Sequence, residues 1–101
     1  MTLEVEIIYL PSAEKDLEDI FDYICLDNPD AAYETLLKFD TSISNLSIFP
    51  LSGVIPEDIR LQTLKYRMLI VNNYIVFYVF KENVVEIRRV LHGKRQYGFL
   101  F

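Results

Sequence analysis

The sequence predicts an α+β fold of order β-α-α-β-β-β, with a helical hairpin packed on one face of a mostly antiparallel four-stranded sheet. Three observations predict it. Apolar residues recur at helical spacing over 13–26 and again over 29–47. Three apolar runs, 64–71, 74–80 and 84–91, then follow one another with only short turns between them. A brief alternating segment, 3–10, precedes all of these.

In the first segment, Leu3, Val5 and Ile7 alternate with Glu4 and Glu6, as in an edge strand with one wet face. Pro11 ends it. Ser12 is placed to cap the first helix, and Glu14 and Asp16 sit in its first turn, where the helix dipole favours acids. Leu17, Ile20, Phe21 and Ile24 form its buried stripe. Asn28-Pro29 stops that helix and starts the next, since proline at the first helical position sacrifices no hydrogen bond. Ala32, Leu36, Phe39, Ile43 and Leu46 make the second stripe. Pro50, Ser52, Gly53 and Pro56 mark a loop over 48–60. Asn72-Asn73 joins the next two strands, because asparagine tolerates positive φ. The run "YIVFYVF" is apolar on both faces, as a central strand is. Lys81 to Asn83 turn into the last strand.

A chain of 101 residues, 51% apolar and 25% charged, predicts one globular domain over 1–101. Cys25 stands alone, so no internal disulfide forms, which fits a reducing cytoplasm. No basic start leads into an apolar run, and no segment approaches the ~20 apolar residues of a membrane span. The expectation is a cytoplasmic protein that engages no membrane.

Charge is divided along the chain. Residues 1–50 hold eleven acids against two lysines, and 51–101 hold eight cations against four acids, within a total of -5. An acidic total argues against nonspecific nucleic-acid binding by the whole surface, while a local basic patch can still grip one phosphate or an acidic partner.

The cations concentrate at the end. Alternation along 84–92 puts Val85, Ile87, Arg89 and Leu91 on one face, and Val84, Glu86, Arg88, Val90 and His92 on the other. Arg89, among apolar neighbours, reads as the structural partner of a helix acid. Arg88 and His92 stand together towards solvent, with Glu86 one pleat away. Lys65 and Arg67 share a face of a neighbouring strand, and Lys94, Arg95 and Tyr97 follow Gly93. Arginine grips phosphate through paired hydrogen bonds, histidine exchanges protons near neutral pH, and tyrosine stacks on bases or donates a proton. The cluster therefore suits either RNA cleavage through an activated ribose 2′-hydroxyl or docking to an acidic protein segment. One His and one Cys cannot supply a soft metal site, and Cys25 reads as an inert buried thiol. Neither a metal nor a cofactor is expected.

The stretches "AEKDLEDIFDYI", "DNPDAA", "ISNLSIFPLSG", "YRMLIVNNYIVFYVF" and "VVEIRRVLHGKRQY", in that order, resemble the RelE/ParE superfamily of toxins from bacterial type II toxin-antitoxin modules, also described as plasmid stabilisation proteins. The resemblance covers nearly the whole chain. It implies the same β-α-α-β-β-β architecture. It also implies a cognate antitoxin, whose disordered segment folds over the toxin's sheet and helices, so that a toxin-antitoxin hetero-oligomer is one expected state. RelE-like members are ribosome-dependent mRNA endoribonucleases, whereas ParE-like members poison DNA gyrase. RelE-like toxins commonly carry an arginine after the tyrosine that opens the penultimate strand. Here that pair is Tyr74-Ile75, so this arginine is missing, while Gly93, Lys94 and Arg95 match the RelE-like "GKR". The segments "NYIVFY" and "RVLHG" and the helix start at Asn28-Pro29 look closer to the ParE-like branch. An acidic total also suits a ribosome ligand poorly.

The resulting expectation is a growth-inhibiting toxin that binds gyrase. Its target or antitoxin would be held by Arg88, Lys94, Arg95, Phe99, Leu100 and Phe101, near the basic and apolar end of the last strand. The rival is a ribonuclease in which Arg67, Arg88 and Arg95 hold phosphate charge while His92 or Tyr97 moves protons. A decayed toxin that binds only its antitoxin is a third reading.

Overall fold

The computed structural model describes residues 5–93. Strand β1 (Glu6–Tyr9) leads into helices α1 (Pro11–Asp27) and α2 (Pro29–Ser44), and α2 ends in a 3-10 turn, Asn45–Ser47. A short helix α3 (Ile59–Thr63) precedes strands β2 (Tyr66–Val71), β3 (Tyr74–Lys81) and β4 (Val84–His92). The sheet order is β1-β4-β3-β2, with β1 parallel to β4 and the other pairs antiparallel. The predicted architecture holds, with β1 at an edge and β3 inside the sheet.

Boundaries differ for local reasons. Helix α1 begins at Pro11, two residues earlier than expected, because the fixed φ of proline suits the first helical position. Leu10 is its N-cap, so Ser12 does not cap. Leu10 still donates its N–H to the Ile87 carbonyl, while its own carbonyl accepts from Ala13 and Glu14. One residue thus ends the strand pairing and opens the helix. Asn28 alone separates the helices. Its N–H closes α1 on the Ile24 carbonyl, and its Oδ1 accepts from the Ala31 N–H at 3.2 Å.

The expected loop over 48–60 runs into α3, which the sequence reading omits. Asp58 caps it by accepting from the N–H groups of Arg60 and Leu61. Lys65 then takes φ 67, so β2 starts at Tyr66 rather than at 64. Asn72 adopts φ 54 in the β2–β3 turn, and Glu82 and Asn83 adopt φ 52 and 64 in the next.

Two apolar cores lie on opposite sides of the sheet. On the hairpin side, Phe39, Ile43 and Leu46 pack with Val76, Tyr78, Val85, Ile87 and Val90. On the other, Leu61 of α3 packs with Tyr66, Ile75, Phe77, Val79 and Leu91. Leu36, expected in the buried stripe of α2, is 40% exposed, and Cys25 is half-buried rather than buried.

Candidate functional site

A β-bulge organises the cationic end of β4. Phe77 pairs with Arg89 but Tyr78 pairs with Ile87, so Arg88 is an extra residue. Simple alternation fails beyond it. Val85 and Ile87 enter the hairpin-side core and so does Val90, while Leu91 enters the opposite core. The expected face sets are corrected accordingly: Leu91 parts from Val85 and Ile87, and Val90 parts from Arg88.

Arg88 lies against Glu86 and Tyr66. Its Nη2 donates to Glu86 Oε1 at 2.7 Å, and its guanidinium carbon stands 5.4 Å from the centre of the Tyr66 ring. Nη1 lies 3.4 Å from the Tyr66 hydroxyl, while the buried Nε has no hydrogen-bond partner. Burial alone lowers the Arg88 pKa, but the bonds to Glu86 and Tyr66 outweigh it and leave the pKa raised. With its side chain only 29% exposed, Arg88 is a half-buried paired cation rather than the solvent-facing residue expected.

His92 is elsewhere. Its ring meets Tyr74 edge-on at 5.4 Å, and Tyr74 in turn tilts against Phe39 of α2 at 5.5 Å. It belongs to the hairpin side and does not share a face with Arg88. Arg67 is directed to a third place. Its Nη1 donates to the carbonyls of Leu51 and Gly53 at 3.1 and 3.0 Å. The Tyr78 hydroxyl completes that anchor, donating to the Pro50 carbonyl at 2.8 Å and accepting from the Gly53 N–H at 2.9 Å. Lys65 precedes β2 in a left-handed conformation and does not pair up with Arg67 along a strand face. Lys94, Arg95, Tyr97, Phe99, Leu100 and Phe101 lie outside the described residues.

Arg89 fulfils its expected structural role. Its Nε and Nη2 donate to the two carboxylate oxygens of Asp16 at 2.7 and 3.0 Å, and these bonds raise its pKa. The same carboxylate accepts the Val90 N–H at 2.9 Å, and Ser12 Oγ donates to the Arg88 carbonyl at 2.8 Å. Helix α1 thereby satisfies the edge of β4 where β1 no longer pairs with it.

The sequence reading missed the apolar exposure. Tyr33, Leu36 and Leu37 on α2 stand in solvent, as do Ile48, Phe49, Leu51, Val54 and Ile55 in the loop that follows. Leu37, an aliphatic residue beside the buried stripe rather than in it, was the available signal.

A helical hairpin on a β1-β4-β3-β2 sheet with parallel outer β1 is the fold of the RelE/ParE toxins, on the ParE-like side of that superfamily. A family model described as "ParE toxin of type II toxin-antitoxin system, parDE" matches residues 7–97, and the chain belongs to this family. Among solved structures, the fold is similar to that of a chain in the chromosomal ParDE toxin-antitoxin system from P. aeruginosa, with a TM-score of 0.74 and 16% identity over 88% of this chain and 96% of that one. It is also similar to a chain in the RelBE2 toxin-antitoxin complex from Mycobacterium tuberculosis, with a TM-score of 0.60 and 18% identity over 89% and 99% of the respective chains. No curated protein matches in sequence. Among the described residues, no helix is long and apolar enough to cross a membrane.

Proposed function

We propose that the chain is the toxin of a type II toxin-antitoxin module, that it halts growth in the cytoplasm by binding DNA gyrase, and that a cognate antitoxin neutralises it. The observation that supports this reading is the dispersal of the three candidate catalytic residues among the described ones, Arg67, Arg88 and His92. Arg88 is paired with Glu86, His92 meets Tyr74 edge-on on the other side of the sheet, and Arg67 holds loop carbonyls. General acid–base cleavage needs a proton-transfer group and a phosphate clamp within hydrogen-bond reach of one substrate. A docking surface has no such requirement. Ile75, standing where RelE-like toxins commonly carry arginine, supports the same reading.

The test is induction of the chain in cells without antitoxin, followed by assay of purified gyrase. Growth should stop, mRNA on translating ribosomes should stay uncut, and added protein should abolish supercoiling or accumulate cleaved DNA. Cuts at codon-spaced positions that vanish in Arg95→Ala would establish the ribonuclease reading instead.

A further inference from the structure

The loop after α2 turns polar backbone groups inward and apolar side chains outward. The Pro50, Leu51 and Gly53 carbonyls and the Gly53 N–H are bonded to Tyr78 or Arg67. Val54 exchanges two hydrogen bonds of 2.8 Å with Met68 of β2, and Gln62 of α3 donates to the Pro56 carbonyl at 2.8 Å. Ile48, Phe49, Leu51, Val54 and Ile55, with Ile59 at the start of α3, are each more than half exposed, Phe49 at 63% and Ile59 at 75%. Leu51 and Ile55 also wall a hollow of about 570 Å³ that reaches Tyr66 and Phe80.

A loop that only joined α2 to α3 would need no such side chains. Six aliphatic or aromatic groups at this exposure offer on the order of several hundred Å² of apolar surface, as much as a monomer ordinarily leaves bare. That is a large share of the ~800 Å² each partner contributes to a stable interface. The loop backbone is already fixed, so docking orders little of it. The patch is also almost uncharged. Within 48–64 only Glu57, Asp58 and Arg60 carry charge, and Asp58 is bonded to Arg60 at 3.3 Å. The hairpin, by contrast, holds nine acids against Lys15 and Lys38 over 11–44.

We propose that this patch is the two-fold contact of a homodimer, with a second copy of the chain as its occupant. The inference holds whatever target the chain has. Isologous pairing needs a projecting group and a recess on one surface, since each copy supplies both. Phe49 is the exposed group, and the hollow walled by Leu51 and Ile55 is the recess beside it. Charge favours the same choice. Two copies of a chain with a net charge of -5 repel through their hairpins but not through this patch. A partner selected by charge would find little here to recognise. Helix α3 covers the sheet face opposite the hairpin, so such a dimer leaves both hairpins outside the contact. Any partner of the hairpin then meets a bivalent molecule.

The test is sedimentation of the purified full chain over a concentration series reaching about 200 µM, well above the expected Kd of roughly micromolar order. A monomer–dimer equilibrium should appear, and about 0.5 M salt should leave it unchanged or tighter, because it screens the repulsion between two acidic copies. NMR of the isotope-labelled chain should show concentration-dependent shifts at Ile48, Ile55 and Ile59, and none at Leu37 of the hairpin. Phe49→Asp/Ile55→Asp should weaken dimerisation by at least about 100-fold while the chain stays folded, because both side chains are exposed and the new charges repel across the axis. Leu37→Asp, an equally exposed change on the hairpin, should leave the dimer intact. A monomer throughout, an assembly that grows beyond two copies, shifts centred outside the loop and α3, or a folded loop variant that still dimerises would overturn the proposal. The shifts are read on the unaltered chain, so they decide the matter even where the loop variant fails to fold.

Discussion

Arg89 on β4 and Asp16 on α1, 73 residues apart in sequence, are joined by two hydrogen bonds of 2.7 and 3.0 Å, and the same carboxylate takes the Val90 N–H. Both side chains are largely shielded, at 23% and 13% exposure. One acid thus ties the hairpin to the last strand and closes a sheet edge.

Asp16→Ala should therefore cost more than a surface ion pair does. It strands the guanidinium and a backbone donor together, and the expected loss is about 2–3 kcal/mol. Arg89→Met should cost less, since Asp16 keeps the Val90 N–H and retains some access to water. Urea unfolding of both variants provides the check; an equal or reversed ranking would show that the backbone bond contributes little.

Phe77→Ala should lose roughly 3–5 kcal/mol, because Phe77 is fully buried in the second core. The sequence stripe gives Phe21 the same weight, but Phe21 is only partly buried and meets the half-exposed Tyr33 edge-on at 5.3 Å. Phe21→Ala should thus lose about 1–2 kcal/mol, from the lost edge contact and partial burial. Thermal or urea denaturation distinguishes these values readily.

The Tyr78 hydroxyl secures the loop after α2, and a Cβ on Gly53 would stand 2.5 Å from it. Gly53→Ala should push the loop outward and cost about 1–3 kcal/mol. Tyr78→Phe should cost a similar amount, of about 1–3 kcal/mol, by leaving a donor and an acceptor unpaired. Burial is the main cause that raises the Tyr78 pKa above its ordinary 10.0, outweighing the opposing Gly53 bond and Arg67 charge. The unfolded chain then releases the phenolic proton at lower pH than the native one. Stability should be intact below pH 10.0 and fall as pH rises through the native pKa. Burial raises Tyr9 and Tyr74 as well, so Tyr78→Phe should flatten this alkaline loss only in part. Denaturant midpoints measured across the alkaline range test the sign.

Periodicity made the hairpin and the three later strands legible, because buried stripes and two-faced strands write their spacing directly into the chain. Helix α3 was hidden: five residues show little more than one turn, and its signal was the Asp58 cap alone. The cationic site was legible only in part: Lys65 takes a left-handed conformation before β2, Arg67 turns to loop carbonyls, and the end of β4 departs from simple alternation. A bulge adds one residue to β4 and reverses every later side chain, and nothing in "VVEIRRVLHG" marks it. Arg88 and His92 were therefore placed together although the bulge separates them. The link between Arg89 and a helix acid was legible because a cation on an apolar face requires a partner.

That separation decides the last prediction. A histidine serving as acid or base in RNA cleavage contributes about 100-fold or more to rate, so His92→Ala would nearly abolish a ribonuclease. At a docking surface most truncations cost little, and a few buried anchors dominate. His92 is exposed and meets Tyr74 at its edge, away from the Arg88–Glu86 pair. His92→Ala should accordingly leave growth arrest largely intact in cells lacking antitoxin, with a loss of less than about tenfold in the inducer response. Survival after induction, scored beside the wild type at matched protein levels, measures this directly. Full loss of arrest by a folded His92→Ala chain would make His92 a working residue and put the rival ribonuclease reading ahead.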